Sequence, residues 1–260
     1  MIKKERWGML HLAESAALLA GHYLKEKCHE WQELQKASDH DVKIRADRQS
    51  EELIVEQLQK GSNIIIFSEE TGVIGKFNRE REKDKKSDLM WIVDPLDGSL
   101  NYHQNIPFCC VSIALYEGTN ALLGVVYDFY HDELFSGIVG MEAWLNHDPI
   151  RPSHINKISE AVLGTGFPVN TDFSSSSLSH FISQIQQYRK VRLLGSAALS
   201  LCYVACGRID AYKEENIMFW DVAAGCAVIK ASCGTVKMKF GNRIEKPVTV
   251  VASNNQLKTT

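Results

Sequence analysis

The run Trp91-Ile92-Val93-Asp94-Pro95-Leu96-Asp97-Gly98-Ser99-Leu100-Asn101-Tyr102 constrains this chain most, because an apolar segment ends there in two carboxylates with no cation beside them. Ile92 and Val93 read as the end of a buried strand, Pro95 fixes its own φ, and Gly98 permits a tight turn, so Asp94 and Asp97 can be held close together. Two anions that close repel unless something neutralises them. Carboxylate oxygens suit hard cations such as Mg2+, and a turn of this kind also offers a main-chain carbonyl, here that of Leu96. Taken alone, the run reads equally well as an ordinary turn, since Asp, Gly, Pro and Ser are the commonest turn residues. It is not an EF-hand loop, because the acidic residues do not alternate from Asp94 and no Glu closes a loop of twelve, and it has no P-loop pattern.

Three further carboxylates occur in similarly marked settings. Asn63-Ile64-Ile65-Ile66-Phe67 reads as a short buried strand running into Ser68-Glu69-Glu70-Thr71-Gly72, so an acidic pair again ends a strand. Downstream, Asp221 opens a helix of small residues, where an N-cap or first-turn role is the ordinary reading. Asp47 stands at the head of the amphipathic segment from Arg48 to Leu58, and it too reads as a simple cap.

Together these stretches resemble the inositol monophosphatase family, Mg2+-dependent and lithium-sensitive phosphatases whose superfamily includes bacterial and archaeal fructose-1,6-bisphosphatases and 3'-phosphoadenosine phosphatases. The first family signature, Asp-Pro-Leu/Ile-Asp-Gly-Thr/Ser-x-Asn-Phe/Tyr, is met by Asp94 to Tyr102, and the second, Trp-Asp-x-Ala-Ala-Gly, by Trp220 to Gly225. The Glu69-Glu70 pair and Gly195-Ser196-Ala197-Ala198 also fit, and the resemblance runs from about Lys36 to Gly234.

The resemblance implies a site, residue by residue. Glu69, Asp94 and the Leu96 carbonyl would hold one Mg2+, and Asp94, Asp97 and Asp221 a second, with Asp94 bridging. A third, weaker ion near Glu69, a supporting role for Glu70 and inhibition by Li+ are further family expectations. Ser99 and Asp47 would orient an attacking water at the Glu69 ion, so Asp47, Ser99 and Glu69 form the catalytic set. Substrate contacts would come from Asp97, the amides of Gly98 and Ser99, Ser196, Ala197, Glu214 and Asp221. By composition alone, Glu214 in Lys213-Glu214-Glu215 reads as a solvated charge, and only its spacing to Asp221 argues otherwise. Lys36 matches a mobile-loop lysine of animal relatives, though a lone Lys is usually just solvated.

The implied activity is hydrolysis of a small polyol or sugar phosphate, inositol 1-phosphate first, by metal-activated water and without a covalent intermediate. Lys43 and Ile44 depart from the Val-Thr of animal enzymes, and the Ser68 to Ile74 stretch looks closer to prokaryotic members, some of which also hydrolyse fructose 1,6-bisphosphate. A fructose-1,6-bisphosphatase or dual-specificity enzyme is therefore the alternative. Ser99-Leu100-Asn101-Tyr102 stands where the 3'(2'),5'-bisphosphate nucleotidases usually read Thr-Lys-Glu-Phe, which disfavours that branch. A non-catalytic metal-binding homologue is disfavoured because Glu69, Asp94, Asp97 and Asp221 are all present.

The remaining features fit a compact enzyme. With 45% hydrophobic and 23% charged residues the chain has an ordinary globular balance, and a net charge of -3 implies no nucleic-acid partner. The charge run from Lys76 to Asp88 mixes both signs and reads as a solvated loop. The apolar stretch from Met9 to Leu24 carries His11, Glu14 and His22, so it reads as an amphipathic helix, neither membrane span nor signal peptide. Seven cysteines without a Cys-x-x-Cys, and His without an His-x-x-x-His pair, fit reduced thiols in a cytoplasm and argue against zinc.

Helices are predicted at about 9 to 34, 48 to 60, 175 to 189, 197 to 207 and 221 to 232. Strands are predicted near 63 to 67, 89 to 94, 108 to 116, 121 to 128, 133 to 138, 161 to 165, 191 to 194, 209 to 213 and 248 to 252. No linker separates the halves at about 1–145 (α+β) and 146–260 (α/β), so a single catalytic domain over 1–260 is expected. The serine tract from Ser174 reads as a helix cap. The family fold, an α+β layered five-layered αβαβα sandwich, and a homodimer complete what the resemblance implies.

Overall fold

The computed structural model describes residues 3–28, 34–37, 42–75, 89–167, 171–241 and 244–258. Two helices form the first layer. α1 (Lys3–Glu26) buries Leu10, Ala13, Ala16, Ala17, Ala20, Gly21 and Leu24, a stripe at three- and four-residue spacing. The second, α2 (Arg45–Gly61), buries Ala46, Asp47, Ser50, Glu51, Ile54 and Leu58, so its inward face is polar at the N-terminal end and apolar at the other. Between them lies a two-stranded ribbon, β1 (Leu34–Ala37) and β2 (Val42–Ile44).

An eight-stranded sheet forms the second layer. Its strands are β3 (Ile65–Ser68), β4 (Gly72–Ile74), β5 (Leu89–Asp97), β6 (Cys110–Glu117), β7 (Asn120–Asp128), β8 (Glu133–Ile138), β9 (Glu142–Leu145) and β10 (Asp148–Pro149), in the order β10-β9-β8-β7-β6-β5-β3-β4. Neighbours run antiparallel except β3 and β5, which run parallel with Ser68 opposite Val93. The turn after β5 leads into a one-turn helix, α3 (Ser99–His103).

The second half supplies the other layers. α4 (Ser175–Ile185), α5 (Ala197–Ala205) and α6 (Phe219–Ala231) alternate with β11 (Val162–Thr165), β12 (Lys190–Leu193), β13 (Ala211–Ile217), β14 (Thr235–Lys239) and β15 (Val248–Ser253). These strands form a sheet of order β12-β11-β13-β15-β14, parallel across β12, β11 and β13. α5 and α6 lie between the two sheets, and the largest core group draws on both sheets and both helices. A helix sandwiched in this way is apolar all round, and α6 buries ten of its 13 residues. It comes so close to β7 that a Cβ on Gly124 would stand 2.4 Å from the Ala224 carbonyl oxygen. α4 is the outer layer and buries none of its side chains; Ser174 caps it, accepting from the Ser177 N–H.

This is the expected αβαβα sandwich. The first helix departs from expectation: it begins at Lys3 because Trp7 packs its ring 5.2 Å from Trp144 on β9, and its buried stripe stops at Leu24, before the charges Lys25 and Glu26. β1, β2, β4, β9, β10 and β14 were not predicted; they are short, and β14 alternates exposed with half-buried residues. The run from Lys76 to Asp88 lies outside the described residues, and so does the Lys36 side chain on β1. Among the described residues no helix is long and apolar enough to cross a membrane, and all seven cysteines are free.

Candidate active site

Because β3 runs parallel to β5 and ends with Ser68 opposite Val93, Glu69 emerges beside Asp94, and the Glu69 N–H donates to the Val93 carbonyl at 3.2 Å. In a regular strand, residues three apart face opposite ways. Here Asp94 pairs with Ser112 and Asp97 with Cys110, a register that inserts one extra residue at Pro95-Leu96. The bulge returns both aspartates to one face, the face that α6 covers. It is held from both sides: the Leu96 N–H donates to Asp94 Oδ1 at 3.0 Å, and Ser50 Oγ donates to the Pro95 carbonyl at 2.7 Å. Gly98 then turns the chain at φ 91°, where a Cβ would stand 3.0 Å from both Cys109 Cβ and the Phe108 carbonyl oxygen.

Asp221 arrives from the first turn of α6. Ligand oxygens of Glu69, Asp94 and Asp221 all lie within 4.8 Å of one another. Asp94 is 1% exposed, and burial, then the charges of Glu69, Asp97 and Asp221, push its carboxyl well above the ordinary range. Asp221 is pushed up in the same way, by burial first and then by Glu69, Asp97 and Glu214, while the Met218 N–H donating to it works in the opposite direction. Among the described residues no ion pair reaches Asp94, Asp97 or Asp221. An all-oxygen, anionic donor set gathered around the buried Asp94 is what a hard divalent cation requires, so these residues fit one.

Asp97 stands apart from that cluster. Its Oδ2 accepts from Ser196 Oγ at 2.6 Å, from the Ala198 N–H at 2.7 Å and from Cys110 Sγ at 3.9 Å, at the N-terminus of α5. Burial pushes its carboxyl up to about 6, while hydrogen bonds from Ser196, Ala198, Ala197 and Cys110 hold it down. Ser196 is also the N-cap of α5, and Ala197 its first residue. Glu214 is 8% exposed, which overturns the solvated reading of Lys213-Glu214-Glu215. It lies over Gly166, where a Cβ would come within 2.6 Å of Glu214 Oε2, and it accepts from the Tyr212 hydroxyl. Burial raises its carboxyl to about 7, the Tyr212 bond lowers it, and the Asp97 charge raises it further.

Asp47 is likewise more than a cap. It is buried within α2, and its Oδ1 accepts from Ser99 Oγ at 2.6 Å, while the Leu96 carbonyl lies 2.9 Å from the same hydroxyl. The structure thus brings together Asp47, Ser99 and the Leu96 carbonyl in one group, and Glu69, Asp94 and Asp221 in another. Sequence reasoning missed Glu51, which accepts from the Thr71 N–H and Oγ1, and Cys110 and Tyr212, which donate to Asp97 and Glu214. Only Glu51 left a signal, four residues after Asp47 on the same helical face. Asn101 Nδ2 donates to the Phe108 and Leu194 carbonyls and the Tyr102 hydroxyl donates to Leu24 O, so both spend these polar groups on the frame.

The chain matches the model of the "Inositol monophosphatase family" over residues 8–260. It is 35% identical over 232 residues to the "Nus factor SuhB" of Pasteurella multocida, covering 88% of this chain and 84% of that protein. Identity to "Inositol monophosphatase 3" of Solanum lycopersicum is 34% over 251 residues, 95% of this chain and 91% of the relative. Among solved structures, the inositol monophosphatase from Anabaena superposes with a TM-score of 0.78 at 32% identity, covering 95% of this chain and 91% of its own.

Proposed function

The chain belongs to the inositol monophosphatase family, and from that premise we propose that this phosphoric monoester hydrolase is Mg2+-dependent and cleaves a small polyol or sugar phosphate, inositol 1-phosphate first. The observation that carries this reading is the buried Asp94 with ligand oxygens of Glu69 and Asp221 so near that all three lie within 4.8 Å of one another. Two or three Mg2+ ions would be held by Glu69, Asp94 and the Leu96 carbonyl on one side and by Asp94, Asp97 and Asp221 on the other. When bound, such ions screen a phosphate dianion and acidify water.

The protein groups supply orientation and proton transfer. Ser99 Oγ donates to Asp47, which leaves its lone pairs free to accept a proton from a water aimed at phosphorus, while Asp47 Oδ1 takes up the Ser99 proton. Water attacks directly, and no covalent intermediate forms. Gly98 and Ser99 amides face the phosphate oxygens. Asp97 and Ser196, locked together, and the Ala197 main chain meet substrate hydroxyls. Glu214, with its carboxyl near neutrality, either donates to or accepts from a hydroxyl. The chain works as one catalytic unit across both halves, as a cytoplasmic homodimer, without nucleic acid, and Li+ inhibits it. The name Nus factor belongs to the Pasteurella multocida relative and does not enter this reading.

A side-by-side assay with millimolar Mg2+ on inositol 1-phosphate, fructose 1,6-bisphosphate and adenosine 3',5'-bisphosphate tests the proposal. Inositol 1-phosphate is expected to be turned over fastest. Faster release from fructose 1,6-bisphosphate selects the bisphosphatase alternative. Hydrolysis of no phosphomonoester, with Asp94→Asn still binding metal as well as the unmodified protein, overturns the enzymatic reading.

A further inference from the structure

The buried face of α2 carries three polar side chains at successive helical positions, and each grips a different segment of the site. Asp47 accepts from Ser99 at 2.6 Å, Ser50 donates to the Pro95 carbonyl at 2.7 Å, and Glu51 takes both donors of Thr71. The Thr71 N–H donates to Glu51 Oε1 at 3.1 Å and the Thr71 hydroxyl to Oε2 at 2.5 Å. Thr71 closes the turn between β3 and β4, the turn that carries Glu69 and Glu70.

Glu51 is 6% exposed, and among the described residues no ion pair reaches it. A carboxylate buried without a cation costs folding stability, and α2 is already anchored through Ile54 and Leu58 on the same face. What a carboxylate offers here, and an apolar side chain of similar length does not, is two acceptor oxygens for two donors of one residue. That residue is two positions from Glu69.

We propose that Glu51 is a positioning residue for the metal cluster: its two-point grip on Thr71 sets where Glu69 stands against Asp94 and Asp221, and thereby sets affinity for a divalent cation. The inference rests on the metal-dependent reading above. Glu51→Met removes both acceptors at nearly the same side-chain length, so both bonds to Thr71 are lost, whereas in Glu51→Gln the amide oxygen still accepts from the Thr71 N–H and the amide NH2 donates to the Thr71 hydroxyl, so the grip is kept. Thr71→Val removes one bond and leaves every carboxylate in place.

Calorimetric titration with Mn2+ and thermal unfolding in EDTA test this on the full chain. Glu51→Met is expected to bind Mn2+ about 10- to 100-fold more weakly, the range for partners that orient metal ligands, and Glu51→Gln, which keeps both bonds, to bind much closer to the unmodified protein. In EDTA every variant should still unfold well above the titration temperature, so that the loss of affinity reads the site and not the fold. Thr71→Val should bind several-fold more weakly. Affinity for Mn2+ within twofold of the unmodified protein in Glu51→Met overturns the proposal, and so does an equal loss of affinity in Glu51→Met and Glu51→Gln. Should Glu51→Met fail to fold, Thr71→Val decides, with unchanged affinity overturning the proposal. Unmodified protein that binds no Mn2+ sinks both this inference and the metal-dependent reading; equal binding by Glu51→Met and the unmodified protein sinks this inference alone.

Discussion

At the ends of β3 and β5, Asp94 faces two other carboxylates, Glu69 and Asp221, whereas Asp97 and Glu214 are each met by protein donors from the second half of the chain. Both regions are buried, so both raise their carboxyls by desolvation. They differ in what opposes that rise. Ser196, the α5 N-terminus and Tyr212 supply hydrogen bonds that favour the ionised form and fix its orientation. Around Asp94 the neighbours are anions that raise it further, with only the Leu96 N–H in opposition. Donors fix how a carboxylate is oriented, as at Asp97, which also serves the proposed second ion, whereas a carboxylate given other carboxylates depends on a cation to offset them.

The sharpest way to break this contrast is Asp94→Asn. Metal binding should be lost and kcat should fall by about 10^3-fold or more, roughly 4 kcal/mol of barrier. In EDTA the variant should unfold at a Tm no lower than the unmodified protein, since one source of repulsion is gone; a clearly lower Tm would mean that Asp94 holds the fold and is not reserved for metal. Next come Ser99→Ala and Asp47→Asn. Each is expected to lower kcat by about 10^2-fold at nearly unchanged Tm, because both handle the water's proton. Stability lost in step with activity would count against that role.

The smallest effect is a pH dependence that follows from the sign of the shifts. Asp97 and Glu214 titrate in the folded protein at about 6 and about 7, above the roughly 3.9 and 4.3 of unfolded chains. The native state therefore binds more protons than the unfolded state across this window, and stability falls as pH rises from about 4 to about 7. Asp94 and Asp221, raised further, extend the fall upward. In EDTA the Tm at pH 8 should lie on the order of 5 °C below that at pH 5.5, and millimolar Mg2+ should narrow the gap. A Tm that rises over this range without metal would contradict the carboxylate environments described here.

Much of this was legible in the order of residues. The apolar run into Asp94, the acidic pair after Phe67 and the small-residue helix behind Asp221 each announced a carboxylate at the end of an element, and the elements form there. Asp47 and Glu214 were not legible locally. A carboxylate near a helix start looks like a cap, and one among Lys213, Glu214 and Glu215 looks solvated. Strand alternation places Glu214 beside Tyr212 on the inward side, but it is Gly166, just past the end of β11, that leaves room for it. The roles of Glu51 and Cys110 depend on partners at long range, Thr71 20 residues away and Asp97 across a strand pair.

The sequence by itself determined the inventory: which oxygens are available, which elements end in them, and that no cation stands beside Asp94 and Asp97 in the chain. The tertiary structure alone decided their roles. The one-residue bulge between β5 and β6 turned Asp94 and Asp97 to the same face, and α5 then claimed Asp97 while Glu69 and Asp221 closed on Asp94. The physical reason is that a carboxylate's function is set by what surrounds it. Donors and other anions reach these groups from segments far away in the chain, so no local pattern could tell them apart.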